Sequence, residues 1–599
     1  MVNLFVFFFF FIIISFVNVP LSSSLEQDSH FLKRGLVQQK YLEITRPLPF
    51  ANLTPSCTLP ILTHDFENTM GLPPVSVNYA PPVKCSWNHV ALQFNASCKG
   101  VQYDRIAAVW LDGVDLFRTS TAEPTVDGVF WSVTKDVTRY SSLLVKENIS
   151  LSVMLENLVD DVYTGVYHVN VTFLYYDVDE MGVPLSSRTD HRKFGRGSLG
   201  LYDDHKRAAA DLIMPVSGYG SEGFWFKIQS DSEWHGKSVM IPKNTYKAVM
   251  EIYVSFHGDD EFWYSNPPDS YIRANNLTSK RGHGAYREVL LNVDENMVGS
   301  VVPFPVIYPG GFNPLYWDPV VSIGAFDHPS YDVDLTPFLG VLLDGKSHFL
   351  WFKVVECLPF WLVDANLHLW IDKQCTGDCQ VQAKIIDSGT PDFEMERSSS
   401  FDGLDGSYEV ELKRKSEYRG WVKSSAGNLT TTVSRALEFN NKIKFHDKGN
   451  EKNVKQKVKE EIEISVVESE RGIKISHTSL KRKYPLTITT KTTTKPPSKA
   501  ENGTKLILSE LENEWSEKKK LSEGDSSDSS SSSLKNGQKC KGWMDVQDNV
   551  VFQGEATTQQ SYSYNGEAAT SYSREITATN GRLINDTANY LHFASLSTM

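Results

Sequence analysis

Before residue 440, run after run of this chain alternates apolar and polar residues with a period of two. In residues 166–176, Val169, Val171, Phe173 and Tyr175 fall on one side and His168, Asn170 and Thr172 on the other. Residues 150–158 repeat the pattern, with Leu151, Val153 and Leu155 opposed to Ser152, Met154 and Glu156. Successive side chains of a strand point to opposite faces, so such runs commit the chain to half-buried strands. Gly, Pro and Asn turns break the runs, and helical periodicity is scarce. The expected fold class is all-β, built from antiparallel sandwiches.

The same reading sets the organisation. Residues 45–190 form a first β-sandwich, 191–211 a polar interdomain connection, and 212–390 a second sandwich. The expected strands of the second are 224–229, 248–256, 288–293, 301–307, 349–355 and 365–371. The segment Pro303-Phe304-Pro305-Val306-Ile307-Tyr308-Pro309-Gly310-Gly311 is too rich in proline for a central strand and reads as a shaped loop or edge. Residues 391–445 carry further β-like runs. Residues 446–540 hold Lys/Glu runs, a Thr/Lys/Pro stretch and a serine run. That composition predicts a mobile linker open to processing into a two-chain form, with Cys540 able to tether the second piece. Residues 541–599 return to β-like character.

Leu4 to Val19 is almost unbroken apolar sequence followed by Pro20 and small residues. It predicts a signal peptide over residues 1–24, although a basic start is missing. The run is shorter than the roughly 20 residues of a membrane span. An arm or propeptide follows over 25–44. The expected destination is the secretory pathway, extracellular (cell wall) or vacuolar. Eight Asn-x-Ser/Thr sequons fit it: Asn52, Asn95, Asn148, Asn170, Asn276, Asn428, Asn502 and Asn585. The chain has seven cysteines, and in an oxidising compartment most should pair. Cys85 with Cys98, and Cys375 with Cys379, are the candidate disulfides. No second Cys or His pair stands near Cys375 and Cys379, so no metal site is expected. The formal charge of −13 argues against nucleic acid or an anionic membrane as partner.

Three carboxylates stand out. Asp104 precedes a strand beside Arg105, where a guanidinium holds a carboxylate oriented for base work. Glu156 lies on the polar face of an alternating strand. Glu261 belongs to His257-Gly258-Asp259-Asp260-Glu261-Phe262-Trp263-Tyr264-Ser265-Asn266, which sets acids against large aromatics at a strand end. Such a segment lines a cleft in which partial desolvation raises a carboxyl pKa. Arg287 and Glu288 form a further charged pair at a strand start. No nucleophile elbow, zinc-protease motif, P-loop or dinucleotide fingerprint is present.

Tyr103-Asp104-Arg105-Ile106 with its continuation to Thr121-Ala122-Glu123-Pro124, the strand ending Met154-Leu155-Glu156, the acid–aromatic segment, and Pro303 to Pro319 together resemble the plant peptide-N4-(N-acetyl-β-glucosaminyl)asparagine amidase A family. The resemblance covers residues 45–390 most strongly. A remoter similarity runs to the bacterial amidase of two side-by-side jelly-roll sandwiches, and so implies that architecture here. It also implies hydrolysis of the amide joining an N-glycan to asparagine, with N-glycopeptides and glycoproteins as substrates and no cofactor. Asp104, Glu156 and Glu261 take the catalytic positions by this resemblance, and an alternative alignment places His283 or Glu288 third. Arg105, Trp263, Arg287, Glu288 and Trp317 become substrate contacts, the tryptophans stacking on sugars. Two other classes remain open on the residues: a glycoside hydrolase using paired carboxylates, and a non-catalytic glycan-binding module.

Overall fold

The computed structural model describes residues 38–178, 209–218, 224–377, 379–389, 391–425, 427–494, 504–524, 529–547, 550–566 and 570–592. The expected signal peptide, most of the arm, residues 191–208 of the connection and Asn502 lie outside them. Among the described residues no helix is long and apolar enough to cross a membrane.

Alternation becomes architecture as expected. In the first sandwich one sheet carries Val129–Asp136, His89–Lys99, Val166–Tyr176 and Cys57–Phe66, in that spatial order. The facing sheet carries Val75–Tyr79, Ile149–Leu155, Ile106–Leu111 and Val114–Ser120. Counted along the chain, strands one, eight, three and six pair in one sheet, and two, seven, four and five in the other. That is the double Greek key of a jelly roll. The second sandwich repeats it. Leu212–Val216, Trp361–Ile371, Thr245–Phe256 and Ser330–Asp334 face His235–Val239, His348–Val354, Val289–Val293 and Asn296–Val301. The cores are filled by the inward set of each strand, such as Val169, Val171, Phe173 and Tyr175 in the first, all nearly inaccessible.

The two sandwiches join through buried polar contacts rather than apolar packing alone. Arg118 pairs with Asp115 and with Asp364 of the second sandwich at 3.1 and 2.6 Å. Trp110 Nε1 donates to Asp364 Oδ2 at 2.9 Å, and Tyr140 donates to Glu251 at 2.9 Å. Each buried charge therefore has partners on both sides, as burial demands. This seam fixes one sandwich against the other and holds the rim residues that form the site.

The largest departure from expectation lies beyond residue 380. Strands from Gln382–Asp387 to Arg582–His592 form one 11-stranded antiparallel sheet. Residues 446–540, expected as a mobile linker, supply Glu451–Glu468, Lys474–Thr494, Lys505–Glu523 and most of Ser529–Gln547. The Lys/Glu runs occupy one face, where Lys459 bonds Glu438 at 2.5 Å and Lys539 bonds Glu512 at 3.0 Å across strands. Exposed pairs of this kind contribute little, about 0–1 kcal/mol each. The other face stabilises the sheet: Leu437, Phe439, Ile443, Val454, Val458, Tyr484, Leu486 and Ile488 are buried. Tyr271 stacks on Phe445, and Phe304 packs on Tyr484 and Trp515, which ties the sheet to the second sandwich.

The arm is also built in. Gln39–Lys40 pairs in parallel with Val129–Asp136. Glu43 accepts from the backbone N–H groups of Gly324, Phe326 and Asp327, and Ile44 packs on Tyr562 and Tyr572 of the large sheet. Residues 38–44 are thus packed into the fold.

Cys375–Cys379 forms as expected, but Cys85 pairs with Cys57 and not with Cys98. Cys98 lies in His89–Lys99 with its side chain in the core. Cys540, expected as a tether, is a buried free thiol accepting from Thr558.

Candidate active site

The hairpin Ile106–Leu111/Val114–Ser120 turns at Asp112-Gly113, and its register sets Ile106 opposite Ser120. One step beyond the paired ends, Thr121 N donates to Arg105 O and Arg105 N to Thr121 Oγ1, at 2.7 and 2.8 Å. The next pair outward is Asp104 and Ala122, and Glu123 follows at the rim of the first sandwich, where its charge reaches Asp104. Neighbouring strand ends are the shortest way to bring two carboxyls together from distant sequence.

The third carboxyl crosses the seam. Thr245–Phe256 ends at His257, and two tight turns follow, Gly258–Asp260 and Trp263–Ser265. Glu261 lies between them, and Asp104 and Glu123 both feel its charge.

The loop between Asn296–Val301 and Ser330–Asp334 covers this cluster. A Cβ on Gly310 would stand 3.2 Å from Asp104 Oδ1 and 3.1 Å from Glu123 Oε2, so both oxygens face the same backbone point. Gly310 has φ +97°, a conformation that side chains disfavour. Tyr308, two residues earlier, is clamped between the rings of His257 and His328, at 5.2 and 5.6 Å between centroids. Its hydroxyl accepts from Phe256 N at 3.1 Å. Trp317 Nε1 donates to Gly311 O at 2.8 Å and holds the turn from behind.

Electrostatics follow from this convergence. Burial raises the Asp104 carboxyl well above its ordinary value, and Glu261 and Glu123 raise it further, while Arg105 opposes them. Glu123 is pushed up to about 8 by burial and then by Glu261. Glu261 is pushed up to about 7 by burial, against the pull of Arg281. Each of the three keeps part of its side chain accessible. Each ionised member makes ionisation of its neighbours harder. Near neutral pH the set therefore holds protonated and ionised members together, which is what paired acid and base catalysis needs.

Asp104 and Glu261 thus come together as the sequence suggests, and Arg105 stands beside them with Nη2 bonded to Gln102 Oε1 at 2.6 Å. Glu156 does not join them. It accepts from Gly71 N at 3.2 Å in an exposed contact, one residue past Leu155, which pairs with Ala107, and its charge is not among those that raise Asp104 or Glu123. Glu123, which the sequence reading passed over, takes the third place. Counting outward from the Asp112-Gly113 turn places Ala122 opposite Asp104, one residue short of Glu123, so only the neighbourhood is legible that way.

The expected sugar contacts are also redistributed. Trp263 and Trp317 are 0% and 1% exposed, so neither offers a face to a sugar. Arg287 is buried in a two-pronged pair with Asp260, both bonds 2.7 Å. Glu288 is buried between Tyr286 and Arg414, at 2.6 and 2.8 Å. These residues hold the scaffold. His283 donates its backbone N–H to Asp269 at 2.9 Å and does not replace Glu261. Partly open rings do flank the carboxyls: Tyr103 packs on Tyr163 at 5.4 Å, and Phe312 on Phe262 at 4.8 Å. Among the described residues no group of three or more His, Cys, Asp or Glu side chains is arranged to hold a metal ion.

With this geometry in view, the relatives can be compared. Residues 46–387 match the family model described as peptide N-acetyl-beta-D-glucosaminyl asparaginase amidase A. The chain belongs to this family. Residues 407–486 match the model of the amidase A C-terminal domain, within the large sheet. A peptide-N4-(N-acetyl-beta-glucosaminyl)asparagine amidase A from Prunus dulcis is 39% identical over 553 residues, 91% of this chain and 92% of that one. Two solved structures of PNGF-II align with 53% of this chain and 65% and 66% of theirs, at 11% identity. Their TM-scores of 0.33 and 0.32 are too low to bear on the fold.

Proposed function

We propose that Asp104, Glu123 and Glu261 hydrolyse the amide bond between an N-glycan and its asparagine, the activity for which the amidase A family is named. The observation that carries this reading is that Asp104 and Glu123 face one backbone point at Gly310 and both feel the charge of Glu261, with all three carboxyls raised. An amide needs a base to activate water and an acid to protonate the departing nitrogen. Asp104, whose charge Arg105 supports, serves as the base that directs water onto the side-chain carbonyl carbon. The C–N bond breaks as a proton from Glu261 or Glu123 reaches the nitrogen. The peptide then carries aspartate, and the released glycosylamine hydrolyses in water to free glycan and ammonia. Arg105 and Arg281 supply positive charge near the developing oxyanion. Tyr103, Tyr163 and Phe312 replace the buried tryptophans as the aromatic surface for the sugar.

Mass spectrometry of an N-glycopeptide incubated with the protein tests the reaction. Loss of the whole glycan with conversion of Asn to Asp supports the amidase. A peptide that keeps one GlcNAc marks a glycosidase, and a bound but unchanged peptide marks a binding module. Glu123→Gln should lower kcat/KM by about a hundredfold, whereas Glu156→Gln should stay within about twofold, as surface changes do. Glu123→Gln also removes a negative neighbour of Asp104. Asp104 then ionises more easily, so the rising limb of the pH–rate profile should move to lower pH. A rising limb that stays in place would separate Glu123 from Asp104.

The secretory pathway remains the proposed destination. Two disulfides and the exposed sequon residues Asn52, Asn148, Asn170 and Asn585 support it. A shift in mobility of the expressed protein on treatment with a glycan-removing enzyme would test it.

A further inference from the structure

The segment carrying Glu261 is held at two ends by two different bodies. One end belongs to the second sandwich. There the buried Asp260 carboxylate accepts from Arg287 Nε and Nη2, Leu358 N and Trp361 Nε1, at 2.7, 2.7, 2.7 and 2.8 Å. The other end is held by the C-terminal sheet. Asn441, in Gly427–His446, donates Nδ2 to Tyr264 O at 2.8 Å. Lys452, in the adjacent Glu451–Glu468, donates Nζ to Ser265 O at 2.6 Å. Gln456, directly opposite Asn441, accepts from the same Asn441 amide at 3.0 Å. Asn441 is fully buried.

Lys452 is an unusual choice for such a contact. Its hydrogen bond goes to a backbone carbonyl and not to a carboxylate, and its charged neighbour is Arg281, of the same sign. Burial and Arg281 together push its pKa down to about 7. A partly buried lysine bonded to a carbonyl, beside Arg281, adds little to the stability of the fold. Stability alone does not account for it. What it contacts is the carbonyl at the end of the turn that begins just after Glu261.

We infer that Asn441 and Lys452 are positioning residues for Glu261, and that the C-terminal sheet sets where this carboxyl stands in the site. The inference rests on the amidase reading of Asp104, Glu123 and Glu261. The groups that face Glu261 are Arg281 from the loop after Asp269–Ala274, Asp104 and Glu123 from the first sandwich, and Tyr264 and Tyr308. Lys452 acts through the backbone of the segment and touches neither substrate nor Glu261 itself. Displacing a reacting group by about 1 Å costs up to a hundredfold in rate. A loosened anchor therefore shows in kcat before it shows in binding.

The test uses the full chain and an N-glycopeptide, with kcat, KM, the pH profile and Tm measured together. Lys452→Met should lower kcat about tenfold with KM nearly unchanged. The freed segment admits water to Glu261, so the limb belonging to this carboxyl should move to lower pH. Lys452→Arg should recover most of the activity. The double variant Lys452→Met/Glu261→Gln should be no slower than Glu261→Gln alone, because both changes disable the same group. Asn441→Ala removes the neighbouring contact without touching a charge, and it serves if Lys452→Met does not fold. A lowered Tm with unaltered kcat and pH profile, or additive losses in the double variant, overturns the inference while the amidase reading stands. Full activity of Glu261→Gln overturns the assignment of Glu261 and this inference with it.

Discussion

Asp104→Asn is expected to lower kcat/KM by about 10³-fold or more, the range for loss of a positioned base. That is roughly 4 kcal/mol of transition-state stabilisation. Asparagine keeps the shape and the rim position of Asp104 but accepts no proton. KM should change little, because the glycan-binding surface is untouched, and the loss should appear in kcat. A second readout comes from stability. Burial and two like charges raise the Asp104 pKa in the folded state, above about 4 in an unfolded chain. A group with a raised folded pKa stabilises the fold below its unfolded pKa and loses that contribution as pH rises through the folded value. The neutral asparagine avoids this loss. Thermal unfolding should therefore show the variant with a higher Tm than the wild type at pH 8 and near-equal Tm values at pH 4. A variant that is inactive and less stable at pH 8 would indicate a structural role for Asp104 instead of the proposed one. Activity close to wild type would end the assignment.

What the sequence made legible was local, and what it hid was cross-strand. Asp104 and Glu261 stand out because each sits at the end of an apolar run, where strand geometry and the neighbouring residue types already imply a partly desolvated carboxyl. Glu123 does not, because its place depends on hairpin register and not on its neighbours. Glu156 shows the opposite error: the face that alternation gave it is buried at Ser152 and Met154, but at the strand end its carboxylate turns to Gly71 N. Trp263 and Trp317 misled for a related reason. An acid–aromatic segment places acids and rings on opposite sides, so the rings that look ready to stack on a sugar pack inward and hold the loop backbone. Residues 446–540 were misread through composition. Lys and Glu dominate one face, yet most alternate residues on the other, such as Val454, Gln456, Val458, Tyr484, Leu486 and Ile488, are buried, and a sheet needs only one such face. Cys57 and Cys85 are 28 residues apart, so their pairing depends on the fold in a way that Cys375–Cys379 does not.

Gly310→Ala should be nearly as damaging as loss of a carboxyl, although it adds one methyl group and no charge. Two effects combine. Gly310 has φ +97°, which an L-residue adopts only with strain of order 1–3 kcal/mol. The new Cβ would also meet Glu123 Oε2 at 3.1 Å and Asp104 Oδ1 at 3.2 Å, closer than an ordinary contact with carbon. The backbone cannot yield easily, since Tyr308 is clamped between two histidine rings and Trp317 holds Gly311. The carboxyls must therefore move, and movement of about 1 Å in reacting groups costs up to 10²-fold. A methyl between them also reduces the water each can reach and should push their pKa values further up. The expected result is a fall in kcat of about a hundredfold, with the rising limb of the pH profile shifted to higher pH, opposite to the shift for Glu123→Gln. Gly311→Ala separates the effects. Its Cβ would meet Ile307, Tyr308 O and Phe262 at 3.1–3.2 Å and neither carboxyl, so it should cost stability with a smaller loss of rate. If Gly311→Ala matches Gly310→Ala in kcat and in pH profile, general strain in the loop explains both, and Gly310 has no special relation to the carboxyls.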